Sequence, residues 1–514
     1  MTHTLLCQPR SSSHAKVGPA FRSRLGRLGM MLLVGLLAGV AVFLGDVAAT
    51  SQGGVSYASV LGQAEAGVVG GILGVPPGGS APARALAADV TWNSPLIVQN
   101  LGTNTAQFQV NFYSLASGTL ARASDVMQLA PGVATPVFAS SYSDLASGQY
   151  SVVLYSTEPM AGVVNLHASN GAAMSYSVPA ANTTSVYFPN VNRKVGSEQW
   201  NTPFYLQNAS SSSTSNLVVK FYRFSDGILA KTVGPLSLAA NATYAVYPKS
   251  VDGLSDGGSY SVVATADVNL GGVIHQFSQD NSQVLSLSGF NSGGTKVYFP
   301  NLNRYLGAER WTTPFIVQNV GTSSTNLTIE YFEFNTGALK QTVTAPNVQP
   351  GTSYVGIPHN VGGLEDGKSY SAVITSSGQP IVGQVQQHGI QGQALNHPGF
   401  NGGGTKLYFP NLNRNLGVER WQTPIIVQNV GTGSTNLTIQ YYEFGSATVK
   451  KTVNVSGLQQ GRSYVGLPHS ESGLEDNKGY SAVVTSSGQP IVGVANQHGL
   501  GSGDLNLGNE AIIR

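Results

Sequence analysis

Four tryptophans, Trp92, Trp200, Trp311 and Trp421, are the residues of this chain best suited to meeting a ligand. Each opens a near-identical word: "WNSPLIVQN", "WNTPFYLQN", "WTTPFIVQN" and "WQTPIIVQN". The last three follow an arginine and a glutamate, Arg193 with Glu198, Arg304 with Glu309 and Arg414 with Glu419. An exposed indole beside such groups makes a platform for stacking a sugar ring, with Arg304 and Arg414 as polar arms. The same residues have a second reading. Each indole then plugs the end of its own domain, since a tryptophan buries up to about 250 Å², and arginine and glutamate bridge within the loop.

Other residue types offer less. His167, His388 and His498 recur once per repeat, with His275 offset, and His359 and His469 follow a proline. One imidazole per domain does not build a tetrahedral metal site. Glu365-Asp366 and Glu475-Asp476 lack the run of oxygen ligands that calcium takes, and read as solvated turns. No "HExxH" is present. No catalysis, no cofactor and no metal are expected.

The elements that carry these residues come from a repeat. The tryptophans recur about every 110 residues, the length of an independent sandwich domain rather than of a solenoid unit. Residues 295–334 and 405–444 are identical at 32 of 40 positions. In "NLTIEYFEF", Leu327, Ile329 and Tyr331 alternate with Thr328 and Glu330, the period of a half-buried strand. Seven or eight such strands per repeat, punctuated by Gly, Asn and Pro turns, read as an antiparallel sandwich. Asn100, Asn208, Asn319 and Asn429 end the same strand and read as turn residues bonded to nearby backbone.

The segment "VYFPNLNRYLGAERW" recurs three times against four tryptophans. Its short link to each tryptophan makes it the opening strand of the repeat that follows. Repeat 1 then lacks a copy, and "VVGGILGV" near Val68–Val75 is the substitute; failing that, repeat 1 presents an open sheet edge for self-association.

Asp256 and Tyr260, Asp366 and Tyr370, and Asp476 and Tyr480 share one spacing that resembles the tyrosine corner of immunoglobulin-like domains. The cysteine two residues after that tyrosine is replaced by Val262, Ala372 and Ala482. From Trp92 onward, "W-x-T-P-x-I-V-Q-N-x-G-T" and "S-Y-S-A-V-x-T-S-S-G-Q-P-I-V-G" resemble repeat arrays of bacterial cell-surface proteins. The resemblance implies export, a β-sandwich fold and a surface role, and brings no known activity or ligand.

Five basic residues (Arg10, Lys16, Arg22, Arg24, Arg27) precede the apolar run Met30–Leu44 and then small residues. That order reads as a secretory signal, or as a membrane anchor through residues 28–45 if uncleaved. The single cysteine, Cys7, lies ahead of it, so the exported part forms no disulfide. Charged residues are only 10% of the chain, against roughly 25% on average, with no basic excess for nucleic acid.

The expected fold is therefore all-β, four tandem immunoglobulin-like antiparallel β-sandwiches after an N-terminal signal or transmembrane helix. Residues 1–49 are the signal or anchor and 50–86 a Gly/Ala/Pro-rich spacer. The divergent repeat 1 spans 87–180, repeat 2 spans 183–292, repeat 3 spans 293–402 and repeat 4 spans 403–514. The expected function is that of an extracellular or cell-surface structural or adhesive protein, an extended rod whose partners are surface polysaccharide or other surface proteins. A carbohydrate-binding array on the four tryptophans is the alternative, and a secreted hydrolase the remote one.

Overall fold

The computed structural model describes residues 69–74, 90–179, 181–501 and 504–514, of which 69–74 through their backbone alone. The expected signal or anchor at 28–45 lies outside the described residues. Among the described residues no helix is long and apolar enough to cross a membrane. Strand accounts for 59% and helix for 3%, so the chain is all-β. Among the described residues six sheets form, and every ladder between strands is antiparallel.

Alternation in the sequence becomes burial in the sheet. Along Thr325–Glu333, Leu327, Ile329 and Tyr331 are buried while Asn326 and Thr328 are exposed. The same face is buried along Thr435–Glu443. Four large apolar clusters result, each drawn mainly from one repeat. In repeat 3, Phe299 and Phe315 are fully buried with ring centroids 5.3 Å apart. Burying each such side chain contributes about 1.5–3 kcal/mol.

The "YFPN" strand belongs to the repeat that follows it. Lys296–Leu306 pairs with Lys368–Ser376 of repeat 3, matching Val297 with Ile374 and Phe299 with Ala372. The register shifts between Phe299 and Leu302, around Pro300. Proline has no N–H for the ladder, so it sits where the ladder is broken by a bulge. Thr183–Val195 and Lys406–Arg414 repeat the pattern, with shifts around Pro189 and Pro410.

Repeat 1 fills that position with Val69–Gly74, which pairs residue for residue with Gln149–Leu154, from Val69 opposite Leu154 to Gly74 opposite Gln149. The edge expected to be open for self-association is therefore covered, and the 50–86 segment is not purely a spacer. The reason is a backbone need: an edge of unpaired N–H and C=O groups is satisfied by any strand that reaches it, and "VGGILG" reaches it.

The expected extended rod is also corrected. The repeats touch in a closed cycle. Ser151 Oγ and Thr243 Oγ1 lie 2.8 Å apart between repeats 1 and 2. Ser261 Oγ donates to the Gly351 carbonyl between repeats 2 and 3. Ser371 Oγ donates to the Gly461 carbonyl at 3.2 Å between repeats 3 and 4. Ser481 Oγ donates to the Gly132 carbonyl at 3.1 Å, joining repeat 4 back to repeat 1. A head-to-tail contact repeated with the same rotation closes into a ring when the rotation permits; short links such as "GFNSGGTK" fix the spacing of neighbours but not that rotation.

Candidate functional site

The loop ahead of Trp200, Trp311 and Trp421 is built by left-handed backbone. Tyr305, Gly307 and Arg310 all have positive φ, as do Lys194, Gly196 and Gln199, and Asn415, Gly417 and Arg420. The turn closes with the Arg310 N–H donating to the Gly307 carbonyl at 3.2 Å. Glycine accepts φ of +72° without Cβ strain, which accounts for the invariant Gly of "LG-x-E-x-W" within this chain. Arg310 lies over the Tyr305 ring, 4.7 Å from its centroid.

That loop delivers each indole to the next repeat. Trp200 packs on His388 with centroids 5.9 Å apart, Trp311 on His498 at 6.1 Å and Trp421 on His167 at 5.1 Å. Trp92 packs edge-on against Phe277 at 6.4 Å, Phe277 holding in repeat 2 the strand position that histidine holds elsewhere. The tryptophans therefore reach a second repeat, while Trp92 also joins the core of its own repeat and Trp421 packs with Leu505 and Leu507 of its own. Trp92 and Trp421 are 3% and 6% exposed, too little to stack a sugar. Trp200 and Trp311 are half-buried.

The histidines under these indoles are held neutral. Burial lowers His167 and His388 to about 4, although the carboxylates of Glu419 and Glu198, each from the preceding repeat, pull the other way. Burial also lowers His498, against its hydrogen bond to Asn506 Oδ1 and the field of Glu309. His275 and His397 are lowered by burial to about 3 and about 4. Of these, His167, His388 and His498 keep a solvent-touched edge, but the atoms packed around the rings set the direction.

The bulge prolines add a second joint. Their carbonyls face the next repeat, where Ser353 Oγ donates to Pro189 O at 2.8 Å and Ser463 Oγ to Pro300 O at 3.2 Å. In repeat 1 the strand position of Ser353 and Ser463 is held by Ala134. There the closing contacts are instead the Tyr408 hydroxyl and Arg514 Nη1, each donating to the Leu101 carbonyl at 3.1 Å.

On the inner side, one aspartate meets three other repeats. Asp504 of repeat 4 accepts from the Ala394 N–H at 2.9 Å and the Val284 N–H at 3.3 Å through its side chain. Its carbonyl accepts from the Ala173 N–H at 3.0 Å. Burial pushes its carboxyl up to about 7, partly opposed by those N–H donors. Asn506 Nδ2 donates to Asp504 Oδ1 at 3.1 Å, and Asn506 Oδ1 lies 2.6 Å from His498 Nδ1.

The remaining sequence candidates go to local structure. Arg304 pairs with Asp366 at 2.7 Å, not with Glu309, and donates to the Pro358 and Val361 carbonyls at 3.2 and 2.6 Å. Arg414 pairs with Asp476 at 2.8 Å and donates to the Pro468 and Glu471 carbonyls. Both guanidiniums are thus engaged as struts for a 3-10 turn, and neither is a free arm for a ligand. The Arg414 hydrogen bond also holds the Asp476 carboxyl below its usual range. In repeat 2, Asp256 pairs with Arg193 at 2.8 Å and Lys194 at 2.7 Å.

The hydroxyls of Tyr260, Tyr370 and Tyr480 accept from the N–H groups of Ser255, Glu365 and Glu475, each five residues back, at 2.8, 2.7 and 2.8 Å. Asn319 is fully buried; its Nδ2 donates to the Ser323 and Val348 carbonyls and its Oδ1 accepts from the Gly321 N–H. Asn100, Asn208 and Asn429 tie the same knot. Among the described residues no cluster of three metal-ligating side chains forms. The joint serines and Asp504 were missed from sequence. A recurring "YS" was visible as a signal for the serines, whereas Asp504 occurs once and had none.

No family model matches the chain, and no curated protein does. Among solved structures, the crystal structure of Thermotoga maritima 1070 is similar at 18% identity over 21% of this chain and 94% of that one, with a TM-score of 0.18. A likeness at that level carries no argument about fold or function.

Proposed function

We propose that this chain is an exported, non-catalytic protein of four immunoglobulin-like sandwiches with a structural or adhesive role at the cell surface. The observation that supports it most is the use made of the recurring residues. The tryptophans, the "YS" serines, the bulge prolines, the arginines and the asparagines all serve joints or turns. What recurs in this chain is architecture. The variable loop tips and sheet faces then make contact with other surface molecules, and the closed cycle displays them on a compact body. The test is expression with the native N-terminus, cell fractionation and antibody labelling of intact cells. Labelling of intact cells supports the reading, whereas retention in the cytoplasm would sink it.

A carbohydrate-binding reading retains one favourable observation, the half-buried state of Trp200 and Trp311. It concerns two sites rather than four. Titration with soluble polysaccharides distinguishes it: a fluorescence change that disappears in Trp200→Phe and Trp311→Phe supports binding, and a flat response removes it.

A further inference from the structure

The opening strand of repeat 1 is held differently from its counterparts. In repeats 2 and 3 that strand pairs on both sides of the following turn: Thr183–Val195 with Trp200–Asn201 as well as with Gly258–Phe277, and Lys296–Leu306 with Trp311–Thr312 as well as with Lys368–Ser376. In repeat 4, Lys406–Arg414 pairs with both Lys478–Ser486 and Ile512–Ile513. Val69–Gly74 has one ladder neighbour among the described residues, Gln149–Ser156.

Its tether also differs. Residues 196–199 and 307–310 join the opening strand to tryptophan in repeats 2 and 3, and residues 415–420 do so in repeat 4. In repeat 1 the connection is residues 75–91. The ladder has no bulge and no proline, running unbroken through its pairs. Three of its six residues are glycine, and the main-chain pairing it makes along the edge is one that another copy of the same strand supplies equally well.

We propose that the edge of Gln149–Leu154 accepts the Val69–Gly74 strand of a second copy of this chain, so that exchange of this strand links molecules. Exchange of an identical element costs little because the contacts made are those already present within one copy. The proposal does not depend on the function proposed above: strand exchange is read from purified protein, surface exposure from intact cells.

The test mixes two full-length copies with Cys7 replaced by Ser, one carrying Gly74→Cys and the other Gln149→Cys. These positions face each other in the ladder, at the separation that a disulfide spans. Exchange yields a disulfide-linked heterodimer on mixing at high protein concentration, and adding Gly71→Pro to the first copy abolishes it. A control chain bearing both cysteines oxidises within itself. Complete oxidation of that control with no heterodimer in the mixture would overturn the proposal. A labelled peptide of residues 68–75 gives an independent readout. It binds the full-length Gly71→Pro chain while its Gly71→Pro counterpart does not, and equal binding or none by both peptides counts against a specific acceptor edge.

Discussion

Ser481 Oγ donates to the Gly132 carbonyl at 3.1 Å across 349 positions of sequence. This bond lies at the contact between the last repeat and the first, whose neighbours in sequence end elsewhere. Gln99 Nε2 donates to the same carbonyl at 2.8 Å, so the oxygen stays partnered if the serine is lost. Ser481→Ala is therefore expected to cost about 0.5–1.5 kcal/mol, the net worth of one hydrogen bond, read as a lowered urea midpoint. The hydrodynamic radius should stay unchanged, and an expanded radius would mean that this one bond holds the ring shut.

Trp421 should matter more. It is 6% exposed and packs with Ala173, Leu505 and Leu507 as well as on His167. Trp421→Ala empties a site shared by two repeats and should cost about 3–5 kcal/mol. Trp200→Ala, at a half-buried indole, should cost clearly less. Urea denaturation of the two variants side by side checks the order, and equal losses would contradict the placement of Trp421.

Acid should weaken the fold in a defined window. Unfolded imidazoles take up protons near pH 6.5, whereas His167, His388 and His397 stay neutral to about 4 and His275 to about 3. The unfolded state binds more protons between these limits, so stability is full above about pH 6.5 and is lost as pH falls towards 4. Asp504 has the opposite sign. Its raised pKa favours the folded state at low pH, a contribution lost as pH rises through about 7. Burial raises two carboxyls, Asp504 and Glu510, and lowers seven imidazoles, His359, His469 and His498 besides the four above, so the net slope should follow the imidazoles. Urea midpoints from pH 4 to 8 check this, and His388→Gln should flatten the slope.

Tyr370→Phe removes the hydroxyl that accepts from the Glu365 N–H. The expected cost is about 1 kcal/mol, and Tyr480→Phe should match it, since its hydroxyl accepts from Glu475 in the same way. The two lie in different repeats, so the double variant should show additive losses within about 0.5 kcal/mol. Differential scanning calorimetry and urea melts of all three variants decide it.

What could be read from sequence follows periodicity. Leu327, Ile329 and Tyr331 announce a strand face because the side-chain period is local, and the short link from "YFPN" to tryptophan assigns the strand to the right repeat. "VVGGILGV" is found as the substitute because an edge left bare demands one. The joints are a different matter. Arg304 and Glu309 are five residues apart, which suggests a pair, but the left-handed turn at Gly307 parts them: Arg304 goes to Asp366, and the field of Glu309 reaches His498 of the next repeat. The tryptophans read as plugs of their own repeat alone because burial does not announce that a second repeat also supplies a partner. Ser481 and Gly132 belong to motifs that look purely local, and only the rotation between repeats brings them together.

Asp504 bonds to repeats 1, 2 and 3 from repeat 4. A ribosome delivers that residue after all three of its partners. Until it emerges, the first residues of three inner strands, Ala173, Val284 and Ala394, lack this acceptor. A growing polypeptide thus carries repeats 1 to 3 without their common fastener until then, and a chain cut short anywhere before residue 504 never receives it.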